Sequence, residues 1–196
     1  MNWILASASP RRKKILQHLG LTLRVVTSDA DESIAPCAPE DMVRELSRRK
    51  AMAVYEALPK PLPPDTVIIG SDTVVRSPDG EIFGKPHDRE DAARMLRALS
   101  GREHLVISGV CICDAQGNAH TAAEATGVIF APLSERIIAR YVESGECDDK
   151  AGAYGVQDTA SLWIEGLRGD YFNVVGLPVH RLETLLQDTL GVSLLD

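Results

Sequence analysis

The sequence predicts an α/β protein built on a mixed sheet, and three observations carry that prediction. Short apolar or β-branched runs such as "WILA", "DTVIIGSDTVVRS" and "EHLVISGVCICDA" alternate with segments of helical period. Ser, Asp, Pro and Gly punctuate those segments where helices start and stop. At 196 residues and 44% apolar content the chain can bury a real core, in one domain or two small lobes, and it shows neither internal repeats nor low-complexity tracts.

"WILA" is a short buried strand. Ser9 follows as an N-cap, with Pro10 at the first helical position, where its missing N–H costs nothing, and the helix stops at Gly20. "LRVVTSDA" reads as a second strand. In "PEDMVRELSRRKAMAVYEALP" the apolar residues recur at helical spacing, and "PKPLPP" ends that helix in a stiff connector. "DTVIIGSDTVVRS" reads as a strand interrupted by Gly70-Ser71-Asp72-Thr73, turning back through Asp79-Gly80 into "EIF" as a hairpin. "HDREDAARMLRALSG" is an amphipathic helix with Asp88 as N-cap and Gly101 as stop. Two strands, "EHLVISGVCICDA" and "ATGVIFAPL", flank a turn at "QGN"; "SERIIARYVESG" is a further capped helix. "GECDDKAGAYGVQD", residues 145–158, has no regular period and suits a loop that covers a site. The end, "FNVVGLPVHRLETLLQDTLG", reads as strand, turn and helix.

Net charge −7 argues against a nucleic-acid polymer as partner, which normally meets a basic face. No run approaches the ~20 apolar residues of a membrane span, and "WILASA" is too short for a signal peptide. A cytoplasmic setting is the expectation. Cys37, Cys111, Cys113 and Cys147 form no CxxC pair and read as buried small apolar residues, with Cys111 and Cys113 on one strand face. The five His lack metal-ligand spacing, and no nucleophile elbow or Walker loop occurs.

The first anomaly is "PRRKK". Arg11, Arg12, Lys13 and Lys14 crowd a helix N-terminus, where the dipole disfavours each exposed cation by roughly 0.3–1 kcal/mol. Unpaired backbone N–H groups there suit phosphate, and forked arginine donors clamp phosphate oxygens, so Ser9, Arg11 and Arg12 are assigned to an anionic ligand and Lys13 and Lys14 to solvent. The second anomaly is Asp72, an acid inside a β-branched run, whose desolvation demands a cation, donors or a metal. It suits a general base or metal ligand, with a turn position at a strand end as the plainer alternative; Thr73 offers a hydroxyl on the opposite face of the strand, or beside the ligand if the strand has already ended there. Lys85 in "FGKP" is stiffly held and could reach phosphate, though a loop lysine is usually solvated. Glu32 in "DADES" is a solvent-facing acid unless it meets Asp72 to hold a metal. On spacing alone Lys50, at the end of "RRK", is solvated. In the 145–158 loop Gln157 could read a base edge and Lys150 could reach a phosphate.

Taken in order, "LASASPRRKKIL", "ADES", "RRKA", "GSDTVV", "GKP", "AARMLRALSG", "VISGV", "DKAGAYGVQ" and "VVGLP" resemble the Maf family of nucleoside triphosphate pyrophosphatases over nearly the whole chain. "DKAGAYGVQ" is similar to the branch acting on dTTP and UTP. The resemblance implies an elongated fold like that of the inosine triphosphate pyrophosphatases (Ham1), residues 1–196 forming one domain with two lobes around a cleft, often paired as a homodimer. It implies cleavage between the α and β phosphates with Mg²⁺ or Mn²⁺, on dTTP, UTP or modified pyrimidine nucleotides. By motif position, Asp72 is the proton acceptor; Ser9, Arg12, Glu32, Lys50 and Lys85 line the phosphate and metal end, with Asp72 and Glu32 as metal ligands; Arg11, Thr73 and Gln157 set base preference. Members of this branch often follow the glutamine with glycine, where this chain has Asp158.

Water attack on the α-phosphorus needs a proton acceptor, and the pyrophosphate leaving group needs cations, so acids and bases in one site make chemical sense. Two competitors predict otherwise. A nucleotide-sensing regulator, for instance of cell division, binds triphosphates without turnover, and a polynucleotide-binding protein shows steep salt dependence.

Overall fold

The computed structural model describes residues 1–27 and 29–196; Ser28, within the expected strand "LRVVTSDA", lies outside the described residues. Among the described residues a seven-stranded sheet runs in the order β2-β1-β3-β5-β6-β7, with β4 paired to β3. The strands are β1 (Asn2–Ala6), β2 (Leu23–Val25), β3 (Thr66–Arg76), β4 (Ile82–Phe83), β5 (Glu103–Asp114), β6 (Ala119–Phe130) and β7 (Ile164–Arg168). The helices are α1 (Pro10–His18), α2 (Pro39–Ala57), α3 (Arg89–Leu99), α4 (Glu135–Ser144), α5 (Tyr171–Val175) and α6 (Val179–Leu190). The mixed α/β class is the expected one.

The chain forms two compact units, one of Met1–Asp72, Ser108–Glu124 and Gly176–Asp196, the other of Thr73–Ile107 and Ala125–Val175. In the first, β1 pairs in parallel with both β2 and β3, and Ala6 at its end lies opposite Gly70. Helices α1 and α2 are the crossovers that parallel pairing requires. Ile4, Ala6, Val54, Leu58, Ile68, Cys111 and Cys113 form a core here. Helix α2 lies unusually close to the strands. A Cβ on Gly70 would collide with the Ser47 carbonyl oxygen, and one on Gly109 with that of Val43. These are strand glycines whose missing side chain admits another backbone.

The second unit holds a larger core of Phe83, Met95, Leu96, Leu99, Phe130, Tyr141, Tyr154 and Trp163. Within it the His104 Nε2 lies 2.7 Å from the Tyr154 hydroxyl, and Phe130 meets both rings edge-on with centroids 4.7–4.8 Å apart.

Ser9, Asp88 and Ser134 each cap a helix through the side chain, as their positions predicted. Four expectations are corrected. Gly70-Ser71-Asp72-Thr73 does not interrupt β3, which continues through it to Arg76 because Ser71 and Asp72 find polar partners inside. Strand β6 begins at Ala119, in an Ala- and Glu-containing stretch of low strand propensity that is held by pairing rather than by composition. "FNVV" is helical, not extended: the Asp170 Oδ1 accepts from Phe172 N at 2.7 Å, and Asn173 is drawn inside, where its Nδ2 donates to Val106 O and Thr126 Oγ1. The aperiodic stretch 145–158 holds a 3-10 turn at Ala151–Ala153, and β7 and a second 3-10 turn at Thr159–Trp163 follow in residues to which the sequence assigned no element.

Candidate active site

Strand β1 sits between β2 and β3, so the chain leaves its carboxyl end in one direction and returns on its other side. That is a topological switch point, where open α/β sheets leave room for a ligand. The β1–α1 loop lies at this end. Ser7 is buried, its Oγ accepting from Ser9 N at 3.2 Å, and the Ser9 Oγ accepts from Arg12 N at 3.4 Å.

Arg12 reaches back across this end. Its Nε donates to Gly176 O at 2.8 Å, and its Nη1 donates to Ser7 Oγ at 3.1 Å and Ser71 O at 2.9 Å. The Ser71 hydroxyl also donates to Gly176 O, at 3.2 Å. These donors therefore serve protein acceptors, where the sequence reading aimed the whole fork at phosphate. Burial lowers the proton affinity of Arg12, Asp72 and Glu32 raise it, and Arg11 opposes them. A guanidinium nevertheless stays charged in proteins. The guanidinium pair after β1 and the acid on β3 thus lie within one electrostatic neighbourhood.

Asp72 stands two residues beyond Gly70 on β3 and is 9% exposed. Its Oδ1 is 2.5 Å from the Lys50 Nζ, which also contacts Glu32 Oε1 at 2.9 Å. The reading of Lys50 as solvated on spacing alone is corrected: its side chain is 15% exposed, and α2, seated close against Gly70, delivers it inward. Glu32 remains largely exposed. Asp72 and Glu32 are hard oxygen donors held by one ammonium, a set that fits Mg²⁺, which takes one or two carboxylates and completes its shell with water and phosphate. Among the described residues no group of three or more His, Cys, Asp and Glu is placed to hold a metal ion.

The remaining residues belong to the second unit. Thr73, next to Asp72 in the chain, is half-buried, while Lys85 and Gln157 are exposed. Lys150 is engaged by its own loop: its Nζ donates to Glu146 O at 2.6 Å and pairs with Asp149 at 2.9 Å and Asp158 at 3.3 Å. The charge that Asp158 adds beside Gln157 is therefore set against Lys150. Lys13 and Lys14 are exposed, as expected.

Sequence reasoning missed Ser7, Ser71 and the Gly176 carbonyl, which organise Arg12. No local signal marks them; Gly70 inside a β-branched run marks instead the close approach of α2 that carries Lys50. Cys111, Cys113 and Cys147 are buried and reduced, whereas Cys37 is exposed, a correction to the reading of all four as buried. Burial pushes the Cys111 thiol up to about 12 and Cys113 to about 11, which leaves both inert at neutral pH. Among the described residues no helix is long and apolar enough to cross a membrane.

Residues 2–189 match the family model described as "Maf-like protein". The dTTP/UTP pyrophosphatase of Thermococcus kodakarensis is 47% identical over 177 residues, 90% of this chain and 91% of that protein. That of Bacillus velezensis is 45% identical over 186 residues, 94% and 95% of the two chains. Among solved structures, the Staphylococcus aureus Ham1 protein is 12% identical with a TM-score of 0.49 over 97% of this chain and 98% of that one.

Proposed function

This chain belongs to the Maf family, and on that premise we propose that it hydrolyses dTTP and UTP between the α and β phosphates, releasing the nucleoside monophosphate and pyrophosphate. The observation that carries the reading is the Glu32–Lys50–Asp72 chain of charges, set beside Arg12 at the carboxyl end of β1. The relatives that bear the name dTTP/UTP pyrophosphatase, at 47% and 45% identity over nine-tenths of the chain, support the substrate.

In this reading Asp72 accepts the proton of the attacking water at its carboxylate, a role worth typically 10²–10⁴-fold. Its burial excludes competing solvent, and the contact with Lys50 holds it aimed. As negative charge gathers on the departing pyrophosphate, Lys50 and the arginines after β1 are the cations of this unit that meet it. Ser7, Ser71 and Gly176 hold the Arg12 plane in place, so orientation is fixed before the nucleotide arrives. Asp72 and Glu32 would hold a divalent ion, Mg²⁺ or Mn²⁺, which when bound neutralises phosphate charge and orients oxygens for in-line displacement. By motif position, Lys85 adds phosphate contact, and Arg11, Thr73 and Gln157 select the base. A cytoplasmic setting and pairing of two copies of the chain belong to the same reading.

The test is a panel of dTTP, UTP, CTP, ATP and GTP with Mg²⁺, scored separately for pyrophosphate and orthophosphate. The expected result is pyrophosphate, with dTTP and UTP turned over fastest. Orthophosphate as the first product would contradict α–β cleavage.

A further inference from the structure

We propose that Lys50 is a resident counter-ion: in the nucleotide-free protein its ammonium occupies the place between Asp72 and Glu32 that a divalent cation takes, so the free protein turns away bare metal and admits it together with nucleotide. The inference rests on the reading above for the identity of the ligands, though not on turnover.

The geometry leads there directly. One ammonium nitrogen lies 2.5 Å from Asp72 Oδ1 and 2.9 Å from Glu32 Oε1, bonded to an oxygen of each acid that would ligate the ion. Mg²⁺ sits about 2.0–2.1 Å from its oxygens, so an ion on those same atoms would stand in contact with the ammonium. Two like charges at such a separation repel strongly. The backbone has no room to relieve this, because α2 is seated on Gly70 and Gly109 with no space for even a methyl group.

The lysine side chain can yield. Its four-carbon stem is flexible, and the ammonium is a point donor that bonds phosphate as readily as carboxylate. A triphosphate supplies those acceptors as it arrives. Formal charge agrees: Asp72 and Glu32 cancel Lys50 and Arg12, so a bare divalent ion leaves the group cationic, whereas a metal–triphosphate brings its own excess of negative charge. Lys50 is thus a positioning residue that couples the entry of metal to the entry of nucleotide.

Mn²⁺ titrations without nucleotide, followed by the electron paramagnetic resonance signal of free Mn²⁺, test this on the full-length protein. Lys50→Gln should bind Mn²⁺ about tenfold tighter than the unaltered protein or better, because the carboxylates lose their counter-ion. Lys50→Arg, which keeps the charge, should stay as weak as the unaltered protein. A non-hydrolysable α,β-methylene analogue of dTTP should raise Mn²⁺ affinity in the unaltered protein and much less in Lys50→Gln. Circular dichroism and melting curves accompany each variant, and Lys50→Met replaces Lys50→Gln if the latter does not fold. Equal Mn²⁺ affinity with and without the lysine charge, or no Mn²⁺ binding once it is gone, overturns the proposal. Because none of these readouts uses product formation, the titration and the triphosphate panel fail separately.

Discussion

Each compact unit buries a polar group, and the two are treated in opposite ways. In the first unit Asp72 is paired with a lysine at 2.5 Å and stands in the field of Arg12. In the second, His104 is 2% exposed with only a tyrosine hydroxyl at hydrogen-bond distance from Nε2, and burial pulls its pKa down to about 4. The first site keeps its charges at the cost of desolvating them and has a use for each; the second sheds its charge and becomes packing. Similar burial therefore does not mark a functional residue. The opposite charges gathered round it do.

The largest effect that sharpens this contrast is on turnover. Asp72→Asn keeps the shape of the side chain and removes the proton acceptor, so kcat should fall by about 10²–10⁴-fold. Nucleotide affinity, measured by calorimetry, should hold or improve as one negative charge leaves the phosphate site. A sensor without turnover would show no such loss, since it has no rate to lose.

The smaller effect is on stability, and it belongs to His104. Its folded pKa lies below the unfolded value of about 6.5, so between pH 6.5 and 4 the unfolded chain binds more protons than the folded one. Stability is then fully present above that window and falls as pH drops through it, by about 3 kcal/mol from this group alone. Replacing it, as in His104→Phe, should cost about 1–3 kcal/mol at pH 7 by stranding the Tyr154 hydroxyl. The same variant should lose the acid-dependent part, which urea unfolding at pH 7 and pH 4.5 measures. Unaltered steepness in the variant would mean that His104 is not held neutral.

Much of the fold was legible because its signals are local. Ser9 before Pro10, Asp88 and Ser134 announce helix starts through side chains that reach only three residues onward. What was not legible depends on distant neighbours. "FNVV" carries strand-forming valines, yet Asp170 and the buried Asn173 turn it into a helix. β7 is five residues of mixed character, and its antiparallel pairing with β6, not its composition, makes it a strand. At the candidate site, Asp72 announced itself as an acid among β-branched residues. Lys50 did not, since nothing in "SRRKA" shows which cation faces inward until Gly70 and Gly109 bring α2 down onto the sheet. Arg12 was identified from its position, but not its partners, because the Gly176 carbonyl lies 164 residues away along the chain.

The central claim is that water, relieved of a proton by Asp72, attacks the α-phosphorus. Hydrolysis of dTTP in ¹⁸O-enriched water, with both products read by mass spectrometry, tests it most directly. The account predicts the heavy oxygen in thymidine monophosphate and none in the pyrophosphate released. Label in pyrophosphate would place the attack on the β-phosphorus and contradict the role given to Asp72.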